Sequence, residues 1–367
     1  MNRLTRQYSR NTSVLERVPW LMFLFLAVDF FLCQHDLQFS KKGVENFSIS
    51  ADDLVRAAVT NSFSRHIAFA SLGLFAAFSL IRYRGDRFRL NNSLGWTMIF
   101  FLSWSLLSLA WAGDAVHSFK VLAAFGVLCL AAAAVAHRCS LREIILLTFY
   151  CSMLFLLVGV SAEVAFGTFR PFTPGYRFAG TLHPNEQGIN CALLSLSAIA
   201  AADTEVRKRM LFRACALTGF AFLILTASQT AFGAAVLALA VYLVAQRSRR
   251  DTLVLGLGLG IALCLFLPVI WNVPYSSLRE AALLNREDTS IESLNGRAGV
   301  WEACAPYVAG RLVTGYGFGG FWTQDRITEI SARQKWGVDE GHSAYLECLL
   351  DLGLVGLAAF ADRKSVV

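Results

Sequence analysis

Ten apolar runs, each closed by charged or turn-forming positions, divide the chain at about 18–33, 67–81, 94–111, 116–136, 144–166, 185–202, 211–227, 231–246, 252–271 and 343–360. None shows the two-residue alternation of an outer-membrane barrel strand, and in hydrocarbon a backbone satisfies its own polar groups only as a helix or a closed barrel. The pattern predicts about ten transmembrane helices. Several runs fall short of the roughly 20 residues that cross a core of roughly 30 Å, so the helix ends are expected to extend a few residues beyond them. No small-residue cleavage pattern follows the first run, WLMFLFLAVDFFLCQHD, which is expected to stay as a helix rather than leave as a signal. With no heptads and no internal repeat, residues 1–367 are expected to form one polytopic domain with 272–342 as a large loop within it.

Composition agrees with that pattern. The chain is 56% hydrophobic, with 29 Phe, 8 Trp, 16% charge and mean hydropathy +0.51, which excludes a water-soluble globule of 367 residues. Nine cysteines, among them Cys129, Cys151, Cys191, Cys215 and Cys264, lie mostly inside apolar runs without metal-type spacing. They read as small hydrophobes, and no metal or cofactor is expected.

The net charge of +7 is spread over short loops between the runs, which points to membrane orientation rather than nucleic acid. Arg3, Arg6, Arg10 and Arg17 precede the first run; RYRGDRFR carries four Lys or Arg, the loop at Arg138 and Arg142 two, the loop at 203–210 three with Arg213 just beyond, and RSRRD at 247–251 three. These are alternate pieces of the chain, so the positive-inside rule puts them and the N-terminus in the cytoplasm. The short AGDA and SQT turns carry no Lys or Arg and fall outside, together with 34–66, 167–184 and 272–342. The last segment holds seven Lys or Arg, but long translocated loops escape the rule.

This orientation gathers the unusual residues on one side. RFAGTLHPNEQG (177–188), TASQTAFG (226–233), LNGRAGVW (294–301), TGYGFGGFW (314–322) and His342 all fall outside, and Asp29, Lys120, Glu163 and Glu347 lie within about two turns of an outer helix end. Charges inside a membrane span are functional candidates, although each could instead pair structurally or snorkel to the interface.

In that order and spacing, RFAGTLHPNEQG, the Ser/Thr turn, NGRAGVWE, GYGFGGF and GHSAYLECLLDLGLVGL resemble the O-antigen ligase and Wzy-type polysaccharide polymerase superfamily, which includes exopolysaccharide polymerases. The likeness runs from about residue 177 to 360; the first five helices add only hydropathy and topology. It implies an all-α, GT-C-like integral membrane fold in the bacterial cytoplasmic (inner) membrane, with a periplasmic active site. The implied reaction moves a glycan from a polyprenyl-diphosphate-linked oligosaccharide to an acceptor glycan or lipid, and chain-length regulator and export proteins are implied as further partners. The chemistry is coherent. Nucleotide sugars stay in the cytoplasm, so an outer transferase needs an activated lipid-held donor, and a diphosphate leaving group needs charge neutralisation more than protonation. Arginine supplies that without a metal, because its planar fork binds phosphate at two points and stays charged.

The resemblance carries roles to particular positions. Arg297, in the family's GR…W segment, would contact the donor phosphates, with Trp301 on the same helix face at i+4. His342, at the junction of long loop and last helix, would accept or orient the proton of the attacking sugar hydroxyl. Asp339 and Glu340 either orient its ring or are solvated loop acids. Arg177 is the second cation for the donor, and His183, Asn185, Gln229 and Tyr316 complete the expected substrate contacts. Pro184 suits a first helical turn, with Asn185 the cap under one placement of the boundary. GYGFGG has neither the strand before it nor the Lys-Ser/Thr after it of a phosphate loop, so it is expected as a tight turn that lays Tyr316 and Phe318 along the membrane surface.

Two departures matter. Many ligases carry an arginine in the short turn where this chain has SQT, so Gln229 cannot do charged work there; this tilts the expectation toward a polymerase. The chain also stops at AAFADRKSVV, just past the tenth run, so it is either a short variant or a truncated sequence, with 361–367 as a foreign tail. The rival class is a transporter or flippase of lipid-linked or anionic solutes, which would show paired broken helices and midplane polar groups. Asp351 is the one charge deep in a run, roughly 12 Å beyond its start.

Overall fold

The computed structural model describes residues 25–28, 30–31, 35, 37–42, 63–81, 93–173, 176–245 and 297–361. Among the described residues the regular structure is helical throughout, with α1 (Leu37–Lys42), α2 (Phe63–Ile81), α3 (Ser93–Leu107), α4 (Ala115–Arg138), α5 (Leu141–Phe166), α6 (Pro184–Thr204), α7 (Arg209–Leu225), α8 (Gln229–Ala245), α9 (Arg297–Gly310), α10 (Gln324–Gln334) and α11 (Ala344–Ala361). Eight of the ten apolar runs coincide with α2–α8 and α11 to within a few residues, and the first is helical where it is described. The run at 252–271, the loop to residue 296, Asp29 and the tail at 362–367 lie outside the described residues. Ala115–Ala136, Leu141–Phe166 and Ala344–Ala361 are long and apolar enough to cross a membrane.

The chain divides into two compact units. The first comprises Met1–Phe47 and Val135–Ile291. Its centre is α6, whose buried face is mostly small (Gly188, Cys191, Ala192, Ser195, Ala198, Ala201 and Ala202, beside the larger Gln187 and Leu194) and is packed by α5, α7 and α8. Gly219 of α7 has no room for a side chain: a Cβ there would run into Ser195 and the Cys191 carbonyl. Helix α5 starts in a capping box between Ser140 and Glu143 and ends on Gly167 in the left-handed region, so its boundaries are written locally.

The second unit comprises Ser48–Ala134 and Glu292–Val367. Here α9 and α10 pack with α11 around Val300, Cys304, Phe321, Ile330, Val338 and Leu350, and α3 packs against α11. Helix α11 is broken within its apolar run. Gly353 sits at φ 66° and ψ −165°, a conformation open essentially to glycine alone, and a Cβ there would strike the Val313 carbonyl. The break is repaired by neighbouring groups: Leu350 O accepts from Tyr316 N (2.9 Å), Asp351 O from Gly317 N (2.8 Å) and Leu352 O from Trp104 Nε1 (3.0 Å), while Leu354 N donates to Leu312 O (2.9 Å). Irregular backbone inside a membrane helix is tolerable where protein supplies such partners.

Candidate active site

In the first unit a single carboxylate organises the loop after α5. Glu163 Oε1 accepts from Ala179 N (3.0 Å) and Gly180 N (2.8 Å), and its Oε2 accepts from the Tyr176 hydroxyl (2.5 Å). Burial, and then the facing Glu163 carboxylate, push the Tyr176 hydroxyl well above its ordinary pKa, so it keeps its proton and donates it to Glu163. Gly180 takes φ 62° and lies so close to Gly159 that a Cβ would meet its Cα. Two further ties come from the N-terminal segment. Ser40 Oγ donates to Gly180 O (2.5 Å), and His35 bridges Phe30 O and Thr181 Oγ1, each at 2.8 Å. A carbonyl can only accept, so His35 Nε2 carries the proton and its Nδ1 takes the threonine hydroxyl; burial, partly opposed by the Phe30 bond, lowers its pKa and favours this neutral form.

This pinned loop presents Arg177, whose guanidinium is engaged within the unit: Nε donates to Thr226 O (3.2 Å) and Nη2 to Asn185 Oδ1 (3.4 Å). Asn185 stands one residue inside α6. The helix cap is His183, whose Nδ1 accepts from Asn185 N (3.3 Å), with Pro184 at the first helical position; the cap thus falls on the histidine and not on Asn185. The turn at 226–228 packs on Gly188 in the same helix start, and Gln229, which opens α8, buries its amide nitrogen without a hydrogen-bond partner among the described residues. The first unit therefore brings Arg177, Asn185 and the 226–229 turn together, with His183 at the adjoining helix end.

The second unit holds Arg297, Trp301, Tyr316 and His342. Arg297 opens α9, is half-buried, and has no hydrogen-bond or ion-pair partner among the described residues. One turn on, Trp301 Nε1 donates to Gly341 O at 2.8 Å, tying α9 to the residue before His342. Gly299 reinforces the link, because its carbonyl accepts from Gln334 Nε2 (3.0 Å) at the end of α10.

His342 stands at φ 50°, which a non-glycine residue rarely adopts. Its Nδ1 lies 2.7 Å from Glu340 Oε1, and its ring stacks on Trp336 at 5.7 Å between centroids and 14° between planes. Of the two acids before it, Glu340 is therefore the one that holds the ring. Because a carboxylate accepts, Nδ1 is the donor, and in the neutral ring Nε2 keeps its lone pair; no described residue hydrogen-bonds it. Strain of this kind persists only when the surroundings over-determine it. Here they do: Gly341 N donates to Glu347 of α11, Trp322 Nε1 donates to the same carboxylate (2.9 Å), and Val338 is pinned to Ser331 Oγ (2.8 Å).

Tyr316 is packed rather than laid along a surface. Its ring lies between the guanidinium groups of Arg311 (4.9 Å) and Arg326 (4.3 Å), its hydroxyl donates to Tyr307 O (3.2 Å), and Phe318 rests on Phe125. The glycine-rich loop around it is capped by Asp351, which accepts from Gly319 N (2.7 Å) and Phe321 N (3.3 Å). The deep charge of the last run is thus a backbone clamp. Sequence reasoning missed His35, Arg326 and Trp336; Asp351 close to Gly353 in a membrane run was the one local sign of a clamp beside a break. Among the described residues no three His, Cys, Asp or Glu side chains lie together as a metal site would need.

The second unit thus sets a strained, carboxylate-held histidine at a loop–helix junction beside a tryptophan anchored one turn from a half-buried arginine. Residues 214–361 match the O-antigen ligase family model (Wzy_C), which supports the O-antigen ligase and Wzy superfamily of bacterial membrane proteins for this region. The match includes Gln229, Arg297, Trp301, Tyr316 and His342 and begins after Arg177, His183 and Asn185. No curated protein and no solved structure matches the chain.

Proposed function

We propose that the protein transfers glycan units from a polyprenyl diphosphate carrier to an acceptor sugar on the outer face of the cytoplasmic membrane, as a polymerase of O-antigen or exopolysaccharide type. The observation that carries the reading is His342: Nδ1 on Glu340, Nε2 unengaged among the described residues, and a backbone held at positive φ by three tethered neighbours. Nε2 takes or orients the proton of the attacking hydroxyl, and Arg297 neutralises the departing diphosphate. The family match supports an enzyme of this general kind; donor type, metal independence, about ten spans, GT-C-like architecture and periplasmic sidedness belong to the proposal. Arg177, His183, Asn185 and Gln229 offer the glycan a second polar set within their own unit.

The broken helix α11 is the one feature a transporter reading would seize on. Its freed backbone groups and Asp351 are occupied by the 312–321 loop and by Trp104 Nε1, which suits a rigid support better than an ion cradle. Purified protein in vesicles, incubated with labelled undecaprenyl diphosphate glycan, tests the proposal. Longer lipid-linked chains indicate a polymerase and transfer to another acceptor a ligase; an unconsumed donor contradicts both.

A further inference from the structure

Trp336 has no part in the expected site, yet it is the side chain in ring contact with His342. It follows Lys335, the left-handed residue that ends α10, and remains 39% exposed while one face meets the imidazole. A centroid separation of 5.7 Å at 14° is an offset stack, so the imidazole covers only part of the indole face. Any flat group resting on the remainder of that face lies in the plane of the imidazole, beside its edge. Trp301, 37% exposed and fixed by its bond to Gly341 O, adds a second indole next to the same turn.

We propose that the uncovered indole of Trp336 is the acceptor subsite, taking the apolar C–H face of a pyranose ring so that one ring hydroxyl meets His342 Nε2. The inference rests on the glycosyl-transfer reading above and adds the residue that seats the nucleophile. A pyranose suits this surface because it has an apolar face, gained by stacking on a rigid aromatic, and a rim of hydroxyls that stay in the plane of the ring. A phosphate or a lipid tail gains nothing from the coplanar arrangement. Trp336 therefore governs acceptor binding, while Arg297 governs the donor.

The test is steady-state transfer by reconstituted protein, varying acceptor and donor separately, in wild type, Trp336→Leu and Trp336→Tyr. A parallel saturation-transfer NMR measurement uses the repeat oligosaccharide released from the lipid by mild acid as the probe. Trp336→Leu is expected to raise the acceptor KM about tenfold, with a smaller change in kcat and little in donor KM, and to lose most of the saturation transfer; Trp336→Tyr is expected to recover most of both. An unchanged acceptor KM in Trp336→Leu alongside active wild type overturns the subsite alone, as does equal loss in the Tyr variant. An indole that only anchors the protein in the interface would be replaced by leucine without selective loss of acceptor. Wild type that transfers nothing overturns the glycosyl-transfer reading and the subsite with it.

Discussion

The loop after α5 and the loop before α11 are built on one device and put to different use. In each, a carboxylate on a membrane-length helix accepts from the backbone of a glycine-containing loop and from an aromatic side-chain donor: Glu163 takes Ala179 N, Gly180 N and the Tyr176 hydroxyl, and Glu347 takes Gly341 N and Trp322 Nε1. In the first unit the clamp leads to closure: Arg177 is bonded to Thr226 O and Asn185, and Thr181 and Gly180 are tied to His35 and Ser40. In the second it leads to presentation, with His342 strained outward, Trp336 half uncovered and Arg297 lacking a partner among the described residues. A rigid, satisfied backbone lets the second loop hold side chains whose bonding capacity is left for a substrate.

The comparison can be broken most severely at its shared device. Glu163→Ala leaves two backbone N–H groups and the Tyr176 hydroxyl without their acceptor in a buried setting, at roughly 1–3 kcal/mol each. The variant is expected to lose several kcal/mol and to unfold at much lower temperature in detergent; a melting curve within a degree or two of wild type would show that the clamp does not hold the loop.

Next in size is the arginine contrast. In the proposed role Arg297→Lys would keep charge but lose two-point phosphate binding, worth roughly 1.5–3 kcal/mol for charged hydrogen bonds, so donor affinity is expected to fall about 10- to 100-fold. Arg177→Lys, whose guanidinium is already committed to the protein, is expected to change donor affinity only about threefold or less, within the net worth of one ordinary hydrogen bond. Donor titrations that reverse this order would move the phosphate clamp to the first unit.

The smallest effect is a silence. Cys304 is fully buried, and burial together with the nearby Glu347 charge raises its thiol pKa to about 11. A raised value keeps the thiol protonated across neutral pH, so maleimide at pH 7 to 8 is expected to leave it unlabelled until the protein is denatured. Rapid labelling of the native protein at Cys304 would mean that the core of the second unit opens.

Much of this was legible in the chain and some was not. Apolar runs fixed eight helices closely because burial in lipid is a matter of composition, and order and spacing of motifs singled out Arg297 and His342. The break at Gly353 was hidden, because LLDLGLVGL is as apolar as an unbroken helix and the groups that make the kink tolerable, the 312–317 backbone and Trp104 Nε1, are distant in the chain. Tyr316 seemed superficial because its partners Arg311 and Arg326 come from separate elements. The choice between Asp339 and Glu340 needed the ring's actual direction, and the stacking of Trp336 on His342 depends on the left-handed Lys335 that turns the chain after α10.

The most direct measurement of the claim that the second unit carries the chemistry is the single-turnover transfer rate of His342→Ala at saturating donor, with donor affinity measured on the same sample. Loss of the general base predicts a rate about 10²–10⁴-fold below wild type with donor affinity nearly intact. A folded His342→Ala protein that binds donor and transfers it at near-wild-type rate would contradict the account.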